Sequence, residues 1–101
     1  MKTFEVKGSH VGEFIKKIEG AMQGRSLGQI VSFENRSSEI SIIFSKLGRS
    51  ELKFTILPIA SENGFLAKFK DEKIALTHRI ARRDIERKLV KVISDLGAKI
   101  D

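Results

Sequence analysis

The sequence predicts an α+β fold, a two-layer sandwich in which an antiparallel sheet of about five strands carries two helices on one face. Three observations predict it. Apolar residues recur at helical spacing near each end of the chain, the stretch between them alternates with a period of two, and the breaks in that alternation are short and polar. With 101 residues, the chain holds one core and not two, so residues 1–101 form a single domain.

The elements follow in order. From Lys2 to Lys7, Phe4 and Val6 alternate with Thr3, Glu5 and Lys7, the pattern of a half-buried strand. Val11, Phe14, Ile15, Ile18 and Met22 then fall on one helical face opposite Glu13, Lys16, Lys17 and Glu19, with Ser9 placed to cap the helix and Gly24 to end it. Gly12 and Gly20 lie inside this helix and each costs roughly 1 kcal/mol against alanine, so they either admit a close neighbour or leave the helix weak. Gly24 to Gly28 reads as a plain turn. Strands are expected over Gln29–Glu34, Glu39–Leu47, Glu51–Ile59 and Phe65–Lys70, with turns at 35–38, 48–50 and 60–64, and Pro58 at the end or edge of its strand because it has no amide to donate.

The stretch 71–80 admits two readings. As one long helix it would align Ile74, His78, Ala81, Ile85, Leu89, Val92 and Leu96 but leave Leu76 and Ile80 on the charged side; extended, it gathers Ile74, Leu76, His78 and Ile80 on one face. The second is preferred: a short strand from Lys73, then a helix from about Ala81 to Leu96 stopped by Gly97. The expected order is strand, helix, four or five antiparallel strands, helix.

Charge is distributed unevenly. Between Lys68 and Lys91 nine basic residues face four acidic ones, a net of +5, while the other 77 residues carry +1. Such a concentration attracts polyanions, anionic lipid or acidic protein surfaces. Arg83, Arg87 and Lys91 are four apart and share one face of the last helix, with Arg79 and Arg82 near its start and Lys88 beside it. Lys68 and Lys70 alternate with Phe65, Ala67 and Phe69 on the preceding strand, which sends cations and aromatics to opposite sides. Arginine predominates between 79 and 87, which suits bidentate contact with phosphate or carboxylate.

Composition limits the chemistry. The chain has no cysteine, which excludes disulfides, thiolate metal sites and thiol catalysis and favours a reducing compartment; a cytoplasmic setting without a transmembrane segment is expected. Neither His10 nor His78 has a neighbour at metal-ligand spacing, and no nucleophile elbow occurs, so neither metal, cofactor nor catalytic residue is expected and His78 reads as a strand-end or core histidine. Seven Phe with no Tyr or Trp fit a core better than an exposed aromatic platform.

From His10 to Leu96 the helix, strands and helix loosely resemble a double-stranded-RNA-binding domain, which would place Arg79, Arg82 and Arg83 near its phosphate-contacting second helix. The chain departs from that family in its extra strands and in lacking a lysine-rich entry signature. Residues 8–12 and 85–89 also look a little like small polyhydroxyalkanoate granule-region proteins. Neither resemblance rests on a specific motif. The functional expectation is therefore a non-enzymatic binding module whose basic C-terminal face docks on nucleic acid or an acidic protein surface. The alternative is a homodimer or other self-associating module paired through Ile43, Leu57 and Leu66 on the second sheet face, followed by a carrier of an apolar ligand held between the layers.

Overall fold

A computed structural model describes residues 1–101 as an α+β fold with a six-stranded, wholly antiparallel sheet. In chain order the elements are β1 (Thr3–Val6), α1 (Val11–Met22), α2 (Ser26–Ile30), β2 (Val31–Arg36), β3 (Glu39–Phe44), β4 (Ser50–Ile59), β5 (Gly64–Lys73), α3 (Arg82–Asp95) and β6 (Lys99–Ile100), with 3₁₀ turns at Ala60–Glu62 and Leu76–His78. The strands lie in the order β2-β3-β4-β5-β1-β6. Strands β2 to β5 form the expected meander, and β1 returns to the far side of β5 with Phe4 opposite Ala67.

The alternation read from the sequence determines which face is buried. Phe4, Val6, Ile40, Ile42, Phe44, Leu52, Phe54, Ile56, Phe65 and Ala67 point to the same side, and Phe14, Ile15, Ile18 and Met22 of α1 and Ile85, Leu89, Val92 and Ile93 of α3 close over them. The phenylalanines form a connected group: Phe4 lies 5.5 Å from Phe54 and 6.1 Å from Phe65, ring centre to ring centre and edge to face. Each such contact adds about 0.5–1.5 kcal/mol beyond the area it buries.

Several elements differ from expectation. Residues 26–30 are helical, so Gly24 to Gly28 is more than a turn: Leu27 is buried, and a side chain at Gly28 would meet the Met22 carbonyl oxygen at 2.4 Å. Only glycine lets α2 fold back so closely on the end of α1, and β2 consequently begins at Val31. Ser9 is not a helix cap. It is buried and accepts a hydrogen bond from Lys17 Nζ at 3.0 Å, while His10 occupies the capping position without a side-chain bond. A side chain at Gly20 would meet nothing, so that glycine gives no packing return and α1 is held by its apolar stripe.

The helix expected from about Ala81 to Leu96 is α3, but within residues 71–80 neither reading holds. Strand β5 continues to Lys73 through a register shift opposite Lys53 and Phe54, after which the chain makes the 3₁₀ turn at Leu76–His78 before α3 starts at Arg82. Leu76 and Ile80, assigned to a common face with His78, are exposed while His78 is buried. Pro58 does sit at a local edge: β3 pairs with β4 only as far as Thr55, so Leu57 to Ile59 bond to β5 alone. Gly97, at φ 102°, ends α3 and turns the chain into β6, a sixth strand too short to carry a periodic signal.

Candidate anion-binding face

Helix α3 projects its cations because its apolar stripe fixes its rotation. With Ile85, Leu89, Val92 and Ile93 buried, Arg83, Arg87 and Lys91 fall on the opposite side and are exposed, as the spacing predicts. Arg79, in the turn before the helix, is exposed as well. Arg83 and Arg79 form no ion pair. Lys88 lies 3.2 Å and Arg87 3.9 Å from Asp84, and Lys91 lies 3.1 Å from Asp95. Exposed pairs of this kind contribute about 0.3–0.5 kcal/mol and are screened by salt, so they leave the cations free to exchange partners.

Arg79, Arg82 and Arg83 also crowd the amino-terminal end of α3, where the helix dipole is positive and cations are disfavoured. The placement costs local stability and concentrates positive potential at one point. Arg82 is turned inward. It pairs with Glu72 of β5, is only partly exposed, and its buried Nε has no protein acceptor. It anchors α3 to the sheet rather than presenting charge to solvent.

Lys68 and Lys70 lie elsewhere. Lys68 is opposite Thr55 and Thr3 on the open side of the sheet, away from the helices, and Lys70 hydrogen-bonds Glu39 on that same side at 2.9 Å. The hydrogen bond from Lys70 holds the Glu39 carboxyl below its usual range and holds the Lys70 ammonium above its own. The Lys68–Lys91 segment is therefore two surfaces: a helical face bearing Arg79, Arg83, Arg87, Lys88 and Lys91, and an open sheet face bearing Lys68 and Lys70.

The sequence reading missed a polar clasp beside the start of α3. Ser50 and His78 are buried, with Ser50 Oγ 2.5 Å from His78 Nδ1; the other ring nitrogen, Nε2, meets the Lys46 carbonyl. A carbonyl only accepts, so Nε2 carries a proton; in the neutral ring Nδ1 then accepts from the Ser50 hydroxyl, whose oxygen in turn accepts from the Ala75 amide. Ser50 is closed to solvent and its histidine is oriented by a main-chain carbonyl, so the pair fastens the β3–β4 loop to the segment before α3 rather than activating a nucleophile. Gly48 makes the fastening possible: at φ 138° it favours glycine, and a side chain there would lie 2.7 Å from Thr77 Oγ1. His78 is thus buried, as expected of a core histidine, and the Gly48-Arg49-Ser50 turn was the visible half of the clasp.

No helix is long and apolar enough to cross a membrane. The chain matches no family model, and no curated protein is similar enough to count as a relative.

Proposed function

We propose that this protein is a non-enzymatic binding module that docks the outward face of α3 on nucleic acid. The observation that carries the reading is the solvent-facing alignment of Arg83, Arg87 and Lys91, continued by the unpaired Arg79 at the positive end of the helix. Arg83 and Arg87 suit bidentate contact with phosphate, and Lys91 adds a point charge in line with them. With Phe69 the one exposed aromatic side chain, too little to stack successive bases, the contacts fall on phosphate and sugar, and the binding is tolerant of sequence. The lack of cysteine favours a reducing compartment, and a cytoplasmic setting goes with the reading.

The test is fluorescence polarisation of labelled single- and double-stranded DNA and RNA across a salt series. Binding that weakens linearly on a log–log salt plot, about 0.9 of a unit per phosphate contact on duplex DNA, supports the reading; traces that stay flat overturn it.

Self-association draws less support. Leu57 and Leu66 are cross-strand partners on the open face and Leu57 is exposed, but Ile43 is buried between Ser32 and Glu51, so the apolar area shrinks to one pair. An apolar ligand between the layers would have to displace a continuous core of 21 buried side chains.

A further inference from the structure

The β3–β4 loop and the segment joining β5 to α3 meet at one end of the molecule and carry side chains that the fold leaves unused. Leu47 is 82% exposed, Leu76 76% and Ile80 98%. Single exposed aliphatics are ordinary on a protein surface. These three sit on two segments bonded to each other, since the Thr77 hydroxyl donates to the Leu47 carbonyl and the His78 ring to the Lys46 carbonyl. Leu47 also has φ 57°, in the left-handed region where asparagine or glycine would rest at less cost. Neither its backbone conformation nor its burial accounts for a leucine there.

Four cations at this end make no ion pair. Lys46 and Arg49 flank the Leu47 tip, and Arg79 and Arg83 flank Ile80; all four are exposed and none takes part in an ion pair. The neighbouring carboxylates are engaged elsewhere, Glu72 with Arg82 and Asp84 with Arg87 and Lys88.

We infer that this end of the molecule seats in the surface of an anionic lipid bilayer, with Leu47, Leu76 and Ile80 entering the acyl boundary and Lys46, Arg49, Arg79 and Arg83 meeting the headgroup phosphates. Charge complementarity selects that occupant. Aliphatic tips collared by unpaired cations match a surface that is anionic outside and apolar immediately beneath. The clasp of Ser50 and His78 holds the two segments together, so the tips are presented without a further ordering cost. Attachment through three side chains and four cations is peripheral and reversible. The inference goes beyond the nucleic-acid reading and does not rest on it.

Vesicle flotation tests it, with phosphatidylcholine alone and with phosphatidylserine added. The proteins compared are the wild-type chain, the Leu76→Ser/Ile80→Ser variant, and a Lys46→Glu/Arg49→Glu variant, each checked for folding by circular dichroism. The wild-type chain is expected to float with the phosphatidylserine vesicles only. Each variant is expected to partition at least roughly tenfold less, and the uncharged Leu76→Ser/Ile80→Ser exchange is expected to keep wild-type affinity for nucleic acid. Failure of the wild-type chain to float overturns the inference, as does undiminished flotation of the Leu76→Ser/Ile80→Ser variant, which would reduce the effect to charge adsorption. A dimer in sedimentation that dissociates on the same two substitutions would overturn it in favour of a second copy of the chain.

Discussion

On the open face of the sheet, cations and carboxylates are interleaved: Lys53 lies opposite Asp71, Lys73 opposite Glu51, Arg36 opposite Glu39, and Lys70 bonds Glu39. On α3 the same residue types are arranged differently. Arg83, Arg87 and Lys91 share a line, and the two nearby carboxylates, Asp84 and Asp95, leave a surplus of positive charge. The difference shows that cation density does not make a field; the pairing imposed by the local structure does. Cross-strand register brings opposite charges together on the sheet, whereas a four-residue spacing stacks like charges on the helix. A segment that looks uniformly basic in the sequence is divided by its fold into a balanced surface and an unbalanced one.

The largest effect expected from that contrast is on binding. Replacing Arg83, Arg87 and Lys91 together with glutamate should weaken nucleic-acid affinity on the order of a hundredfold and lower the salt slope by about 3 units, measured by fluorescence polarisation. The thermal transition should stay near wild type, because all three side chains are exposed. Next comes the clasp at the edge of the helical face. His78→Ala leaves the Ser50 hydroxyl without its partner and opens a cavity, and should cost about 2 kcal/mol in urea unfolding; Gly48→Ala should cost about 1–2 kcal/mol or more, through backbone strain and the clash with Thr77.

A sharper comparison uses the sheet. Lys68→Glu with Lys70→Glu alters the net charge by four units, yet should shift nucleic-acid affinity only about twofold to threefold, since the two residues lie on the far side of the sheet from α3. An effect equal to that of the α3 variant would erase the distinction between the two faces. The smallest effect concerns pH. The Glu39 carboxyl is held below its usual range by the Lys70 hydrogen bond, so the pair's contribution is present above that range and fades as the pH falls through the lowered value. Glu39→Gln should remove that acid dependence and leave stability near neutral pH almost unchanged, read from thermal melts at a series of pH values.

The periodic parts of this fold were legible in the sequence because burial on one side imposes a period. Phe4 and Val6, the stripes of α1 and α3, and the alternation through β3 to β5 were all readable on that basis, and so was the exposure of Arg83, Arg87 and Lys91. What escaped lacks a period or depends on distant register. Helix α2 is five residues long and hinges on the close approach at Gly28; β6 is two residues. The course of residues 71–80 is set by a bulge opposite Lys53 and by the pull of His78 toward Ser50, 28 positions away. The separation of Lys68 and Lys70 from α3 was half visible, since alternation sent them outward, but only the packing of both long helices on the other face made outward mean opposite.

The most direct test of the account is a nitrogen–proton correlation spectrum of the labelled protein titrated with a short nucleic acid duplex. The account predicts amide shifts concentrated at Arg79, Arg83, Arg87 and Lys91, with Ser32, Lys53 and Lys68 on the open sheet face unmoved. Shifts centred on the sheet, or spread evenly over both faces, would contradict it.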